Sequence, residues 1–316
     1  FNFWDNLFPE DPDTPNEQYL TISSETMRTY LRDEPFRGVF LEVDGWNLYS
    51  EDGFFIVDRA EDLVEGRIGQ LDLEPVQTNP SDNYDWLVAH PRDRLFQHGH
   101  QSGYQFMILA LAYCHQPDER WVRQFSKMIL ALLDQCPALP DGFSDSGKGN
   151  SPESPTNVAW LHYGYVANRL HFLLATYAVL GDSPLLQDRF HAVVVRLVKA
   201  HVNHLHLMGA SAFRDNYLNA TGKSIYLASV LLPDPDASHE WQRAMWPFLT
   251  QGIDRELLED GCHFHRSFSY HLTFIERPLS IVCLAKKMGK TADLPVVFLD
   301  QIRKAVRAFL RVSTPL

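Results

Sequence analysis

From residue 98 to the end of the chain, apolar residues recur at spacings of three and four, the period of an amphipathic helix. Such stretches predict helices at about 100–115, 118–135, 156–180, 184–206, 216–231, 236–258, 269–288 and 292–312. Stretches that are apolar on almost every side, such as FMILALAY, alternate with one-sided stretches such as VRQFSKMILALLDQC. This alternation predicts paired inner and outer helices, and hence an all-α fold of the incomplete (α/α) toroid type. Other all-helical folds, including a solenoid, fit the same pattern, although the sequence contains no strict repeat.

The first part of the chain differs from the helical body. Residues 1–95 predict an arm rich in Pro, Asp and aromatic residues, followed by irregular segments packed on the body at 96–316. Alternating apolar residues and Asp-Gly turns in 36–60 predict a small β-hairpin. Residues 71–95 are loop-like, with Asp85-Trp86 as an aromatic anchor. The polar connection at 137–155 is expected to be either a cleft rim or a flexible spacer.

Composition excludes several classes of protein. The chain has 316 residues, 45% of them hydrophobic, which is enough to bury one large core or two smaller ones. A net charge of −12 argues against a nucleic-acid partner, which attracts basic surfaces, but permits local cations in a cleft that binds an anion. No apolar run reaches the length of a membrane span. The sequence begins at Phe1 without an apolar leader, which is expected of a mature form or a fragment.

Polar residues gather at predicted helix starts within residues 214–278. Asn216 opens one helix, which runs toward Leu231-Leu232-Pro233, and the turn at Asp260-Gly261 precedes a second polar group. That group consists of Ser267, Ser269, Tyr270 and His271. In order and spacing these residues resemble the N-terminal helical domain of the heparinase II/III-like polysaccharide lyases.

The resemblance implies a lyase that cleaves a uronic-acid polysaccharide by β-elimination, in the periplasm or outside a bacterial cell, without a cofactor. It implies that Asn216 contacts the substrate carboxylate and that Tyr270 is the acid and, for a syn elimination, can also be the base, with His271 as a third catalytic candidate. Asn216 also suits a helix N-cap, and His271 also suits a backbone hydrogen bond. Tyr217 stands where many members have His, so it could stack on sugar, donate a hydroxyl or pack.

Substrate contacts are predicted for further residues near the same helix starts, because Arg binds carboxylates and aromatic rings stack on sugars. They are Tyr217, Arg214, Arg266, His265, His98, His100, Trp160, Tyr163 and Arg169. An aromatic core with Arg169 in a buried ion pair explains the last group equally well. His201, His204 and His206 do not share one helical face, so no metal site is predicted.

Two other functions remain open at this stage. Members of the family usually continue into a β-sandwich that often supplies another catalytic residue, and no β-rich half follows the last predicted helix; an isolated toroid is expected to bind substrate and cleave it poorly. Toroidal glycoside hydrolases use two carboxylates, for which Asp215, Asp260, Glu276 or Glu153 are available without a defining pattern. A non-catalytic sugar-binding toroid would share the aromatic cleft.

Overall fold

The computed structural model describes residues 53–69, 75–78, 84–88, 100–136, 160, 163–209, 218–232 and 235–313. Its helices are α1 Gly53–Val64, α2 Tyr104–His115, α3 Glu119–Gln135, α4 Tyr163–Leu180, α5 Asp188–Gly209, α6 Leu218–Leu231, α7 Pro235–Glu256, α8 Phe268–Lys287 and α9 Val296–Ser313, with a 3-10 turn at Thr291–Asp293. Two short strands, β1 Arg67–Ile68 and β2 Val76–Gln77, form an antiparallel pair. The predictions at 1–50, at 137–155 and for a helix start at 156–159 lie outside the described residues.

The helices from α2 onward form two layers. The inner row is α2, α4, α6 and α8, each packed on the next inner helix, and the outer row is α3, α5, α7 and α9, packed in the same manner. Each inner helix also contacts the outer helix that follows it. Leu218 at the start of α6 packs against Gly252 near the end of α7, so the two helices of this pair are antiparallel. The prediction of an all-α, incomplete (α/α) toroid is confirmed.

Burial explains why the two kinds of helix alternate. All described side chains of α6 except Lys223 are buried, because inner helices have neighbours on every side. The outer helix α3 is one-sided: Trp121 and Phe125 lie in the core, while Glu119 and Arg123 are exposed and form an ion pair at 3.1 Å. The sequence period therefore reports the layer in which each helix lies.

The hairpin prediction at 36–60 was wrong over the part that the structure describes. Residues 53–60 begin α1, whose side chains Ile56, Ala60 and Leu63 face the core at helical spacing. The antiparallel strands lie later in the chain, at β1 and β2. Trp86 is fully buried and its indole Nε1 donates a hydrogen bond to the Met128 carbonyl at 2.8 Å, which confirms the predicted anchor.

Candidate active site

The candidate residues precede the inner helices, and the structure gathers the starts of these helices at one end of the toroid. Inner helices run in one direction, because contacts join their early turns: Ser224 of α6 donates to the Ala167 carbonyl of α4, and Lys223 of α6 lies 3.9 Å from Glu276 of α8. His100 lies just before α2, Trp160 lies before α4, and Tyr270 occupies the first turn of α8. His98, Arg214, Asn216 and Tyr217 lie outside the described residues, as does the side chain of Tyr163.

A tight turn between α7 and α8 positions the candidate residues around Tyr270. The amide of Gly261 donates to the Leu258 carbonyl at 2.9 Å, and the Asp260 carboxylate accepts from the Cys262 amide at 2.9 Å. Gly261 has φ +85°, and a Cβ there would lie 2.9 Å from the Lys304 carbonyl oxygen, so the position requires glycine. The returning chain forms a bridge between Leu257 and His263.

Tyr270 is stacked beside two histidine rings. Its ring centroid lies 4.6 Å from that of His265, and its ring is nearly parallel to that of His263 at 6.3 Å. Tyr270 is 45% exposed and His265 is also exposed. Within the described part of the chain, neither the Tyr270 hydroxyl nor the His265 imidazole has a hydrogen-bond partner. Two groups that can carry a proton are therefore adjacent and accessible.

His263 is held in one orientation by both of its ring nitrogens. Its Nδ1 accepts a long hydrogen bond from the His265 amide at 3.4 Å, which leaves Nε2 to donate to the Glu256 carboxylate at 3.3 Å. His263 is 1% exposed and Glu256 is 3% exposed. Because the pair is buried and Tyr270 stacks against it, the pair forms a fixed support for the Tyr270 ring.

A small cavity of about 90 Å³ opens beside this group. Glu256, His263, Ser269, Tyr270, Thr273, Phe274 and Arg277 line it. By this measure the cavity holds several water molecules, and it is open to solvent, so a polar substituent of a ligand can enter it.

His271 has the structural role that its sequence position also allowed. Its Nδ1 accepts a hydrogen bond from the His263 amide at 3.0 Å, and its Nε2 donates to the Ala305 carbonyl at 3.1 Å. Since both nitrogens are engaged and the residue is 7% exposed, His271 fixes the turn to α9. Its assignment to catalysis remains a prediction that this geometry does not favour.

Arg169 is the centre of a second, buried polar cluster. Its Nε donates to His201 Nε2 at 3.0 Å, its Nη1 donates to the Gln101 carbonyl at 2.9 Å, and its guanidinium lies 4.9 Å from the Trp160 ring centroid. Burial lowers the pKa of Arg169 to about 10. Burial, followed by the charge of Arg169, holds the pKa of His201 well below its usual value, so this imidazole is neutral.

This cluster replaces the ion pair considered for Arg169. No carboxylate of the described residues contacts the guanidinium, whose Nη2 has no hydrogen-bond partner there, and both amide atoms of Gln101 are likewise unpaired and buried. Trp160 is 1% exposed and Arg169 is 0% exposed. Neither side chain offers a surface on which a sugar could stack in this conformation.

His100 is similarly enclosed. It is 0% exposed, its Nε2 donates to the Asp85 carbonyl at 2.8 Å, and its Nδ1 accepts from the Gln105 amide at 2.8 Å. Burial lowers its pKa to about 4, so the ring is neutral at ordinary pH. His100 offers no surface to a sugar in this conformation, and it joins the start of α2 to the Asp85-Trp86 anchor.

The buried partner Glu256 was not predicted as a site residue. The signal was present in the Asp260-Gly261 turn, because such a turn folds the chain back and pairs residues on its two sides. Arg266, predicted to contact substrate, is exposed and has a left-handed backbone with φ 51°. Among the described residues, no three His, Cys, Asp or Glu side chains converge as metal ligands would. None of the described helices is long and apolar enough to cross a lipid bilayer.

Comparison with known proteins gives a consistent match. The sequence model described as Heparinase II/III N-terminus matches residues 76–316. A heparin-sulfate lyase of Bacteroides stercoris is 21% identical over 247 residues, which cover 75% of this chain and 36% of that protein. A heparin-sulfate lyase of Bacteroides thetaiotaomicron is 22% identical over 100 residues, which cover 32% of this chain and 14% of that protein.

Solved structures share the fold at low sequence identity. The heparan sulfate lyase HepC of Pedobacter heparinus gives a TM-score of 0.70 at 15% identity, covering 92% of this chain and 44% of that one. A heparinase III with methylated lysines gives a TM-score of 0.68 at 17% identity, covering 82% of this chain and 41% of that one. The chain thus spans less than half the length of each of these relatives.

Proposed function

Because this chain belongs to the heparinase II/III family, we propose that it forms the helical part of a polysaccharide lyase that cleaves a uronic-acid-containing glycan by β-elimination. The substrate would be an acidic polysaccharide, and heparan sulfate, which the name of one relative gives as its substrate, is the first to test. The enzyme would accordingly act in the periplasm or outside the cell. The reaction breaks a carbon–oxygen bond and requires no cofactor.

The observation that carries this proposal is the placement of Tyr270. Its hydroxyl belongs to a half-exposed ring at the start of an inner helix, with the exposed imidazole of His265 at 4.6 Å between ring centroids. A phenol that transfers a proton needs a neighbour that can take or return one. The ring of His263, which is buried and hydrogen-bonded to Glu256, lies parallel to the Tyr270 ring at 6.3 Å and 5.2 Å from the His265 ring.

In the proposed reaction, a base removes the weakly acidic C5 proton of the uronate, and the electron pair forms a C4–C5 double bond as the C4–O bond breaks. An acid protonates the leaving oxygen. Tyr270 is assigned the acid role and, for a syn elimination, the base role also, with His265 as its proton partner. Asn216, outside the described residues, is assigned to the substrate carboxylate, where an amide donor would stabilise the enolate-like charge.

The test measures ultraviolet absorbance while the chain is incubated with heparan sulfate, other uronate glycosaminoglycans and alginate. The double bond made by elimination absorbs, so the native chain should give a rise that Tyr270→Phe reduces by about a hundredfold or more. Tyr113→Phe is the matched control, because Tyr113 lies near the opposite end of α2 and its loss should leave the rate unchanged.

Each other outcome identifies a different function. Reducing ends without absorbance would assign the toroid to hydrolysis. Glu256, the carboxylate that lines the cavity, is buried and paired with His263, which makes it a poor hydrolytic acid in this state. Binding without either product would make the chain a sugar-binding toroid.

A further inference from the structure

The outer helix α9 carries a basic surface on a chain that is acidic overall. Between Val296 and Ser313 it has four cationic side chains and a single acidic one, whereas the whole chain has 28 Lys and Arg against 40 Asp and Glu. Arg303, Arg307 and Arg311 follow at four-residue spacing, with Lys304 beside them, and all four are exposed. At 1.5 Å per residue, this basic face of α9 extends for about 12 Å along one side of the helix.

A groove of about 590 Å³ runs between the basic face of α9 and the turn that precedes α8. Its lining residues are Glu259, Asp260, Asp300, Arg303, Lys304, Arg307, Ala308 and Arg311. The two walls are held together where the backbone of Gly261 packs against α9 at Lys304 and Ala308. The groove is therefore a built feature of the fold and does not depend on side-chain conformation alone.

Most of the cations in this groove have no ion-pair partner among the described residues. Arg303 pairs with Asp300 at 2.6 Å. For Lys304, Arg307 and Arg311, no carboxylate in the described ranges forms an ion pair. Glu259 and Asp260 occupy the opposite wall, so an anionic ligand would follow the α9 side of the groove. Neighbouring like charges that lack counterions raise the local potential and attract anions.

We propose that this groove is a second binding site, separate from the Tyr270 site, for sulfate or carboxylate groups of an acidic polysaccharide. The two sites are adjacent in the fold: Phe268, two residues before Tyr270, packs on Phe309 of α9 with ring centroids 5.0 Å apart. A long glycan bound at Tyr270 can thus continue into the groove, while a short oligosaccharide ends before it. The polysaccharide as ligand rests on the proposed function, whereas the basic groove itself does not.

The experiment measures the affinity of the 316-residue chain for fluorescently labelled heparan sulfate, with Arg307→Glu plus Arg311→Glu as the test variant. The matched control is Arg189→Glu plus Arg243→Glu, which changes net charge equally at exposed positions on α5 and α7. The test variant should bind at least about tenfold more weakly, because each lost charge-assisted contact is worth on the order of a factor of ten. A second variant, Arg307→Lys plus Arg311→Lys, keeps the positive charges and should therefore keep most of the native affinity.

Salt and ligand type give further discrimination. Affinity of the native chain should fall steeply as salt is raised, and the test variant should show a shallower dependence. Equal weakening in the control pair would mean that net charge alone matters, and no weakening in the test pair would mean that the groove is unused; either result overturns the proposal. Equal binding of duplex DNA, with full competition, would overturn the assignment to polysaccharide.

Failure of the lyase proposal can be distinguished from failure of this one. If Tyr270→Phe removes the ultraviolet signal but the groove variant changes neither affinity nor the KM for long chains, only the groove proposal fails. If no substrate gives an ultraviolet signal but the groove variant still binds heparan sulfate more weakly than the native chain, only the lyase proposal fails. Where both hold, the groove variant should raise the KM for long chains and leave turnover of short oligosaccharides unchanged.

Discussion

Nε2 of His263 lies 3.3 Å from the carboxylate of Glu256, and both side chains are almost completely removed from solvent. The pair joins the last residue of α7 to the returning strand of the turn, at the bridge between Leu257 and His263. Because the His263 ring lies parallel to the Tyr270 ring at 6.3 Å, the pair links the stability of the turn to the orientation of the candidate acid. A buried donor that loses its acceptor is costly, so this contact has measurable consequences.

Glu256→Ala should lower the free energy of unfolding by about 3 kcal/mol, because it leaves the buried His263 Nε2–H without its acceptor. Glu256→Gln keeps a side-chain oxygen at the same place and should cost about 1 kcal/mol. Denaturant unfolding followed by circular dichroism measures both values. Glu259→Ala, an exposed change in the same turn, serves as the control and should alter stability by less than about 0.5 kcal/mol. Equal stability of all three variants would show that the pair contributes nothing.

Gly261 and Gly289 both have a left-handed backbone, but only at Gly261 would an added Cβ also meet neighbouring atoms. Comparing the two Gly→Ala variants therefore separates the cost of backbone strain from the cost of a steric clash. Gly289 has φ +66°, and no atom lies within 4 Å of the place that a Cβ would occupy, so Gly289→Ala should cost only about 1 kcal/mol of backbone strain. Gly261 has φ +85°, and a Cβ there would lie 2.9 Å from the Lys304 oxygen and 3.1 Å from the Ala308 Cβ. Gly261→Ala should therefore cost about 2 to 3 kcal/mol.

The same pair also tests the link between turn and site. Gly261→Ala should reduce lyase activity at temperatures where the variant is still folded. The added methyl group would push the turn away from α9, and the turn positions the residues around Tyr270. Gly289→Ala, at the far end of α8, should retain activity. If the two variants lose equal stability, the contact between the turn and α9 is not a constraint on the fold.

The layer of each helix could be predicted from sequence because burial on all sides and burial on one side leave different apolar patterns. Helix α1 could not be predicted, because its first residues, Phe54 to Val57, fit an alternating strand as well as a helix. The helical spacing of Ile56, Ala60 and Leu63 becomes informative only when these side chains are known to face the core. Site residues near helix starts were identifiable by type. Whether His100 or Arg169 faces a cleft or the interior depends on packing between distant segments, which a single sequence does not encode locally.

The α6–α7 contact offers a way to disturb the start of α6 from outside the site. Replacing glycine by alanine inside a helix is normally stabilising by about 1 kcal/mol. At Gly252 the new Cβ would lie 1.7 Å from Leu218 Cδ2, so Gly252→Ala should instead destabilise the protein by about 2 kcal/mol. Thermal unfolding of the single variant gives the sign directly.

A double-mutant cycle supplies the control for this prediction. Leu218→Ala removes the obstructing side chain and should itself cost about 3 kcal/mol, because Leu218 is buried. In that background Gly252→Ala should become neutral or stabilising, since the methyl group enters the space that Leu218 left. Additive losses in the double variant would contradict the contact.

Buried neutral histidines should make the fold sensitive to acid. Burial lowers the pKa of His100 to about 4 from the usual value of 6.5, and that of His204 also to about 4. Between pH 6.5 and 4 each of these histidines is protonated in the unfolded chain and neutral in the folded chain. Their contribution to the free energy of unfolding is therefore fully present above pH 6.5 and is lost as the pH falls toward 4. Each such histidine should contribute a slope of about 1.4 kcal/mol per pH unit in that window.

His100→Gln should reduce the slope of unfolding free energy against pH by the contribution of one histidine, about 1.4 kcal/mol per pH unit. This change in slope is independent of any change in stability at neutral pH. His239→Gln, at an exposed position on α7, is the matched control and should leave the slope as it is. The measurement is the free energy of unfolding in urea at half-unit steps from about pH 7 to about pH 4. An unchanged slope in His100→Gln would mean that His100 takes up its proton without unfolding, and hence that the start of α2 opens to solvent in acid.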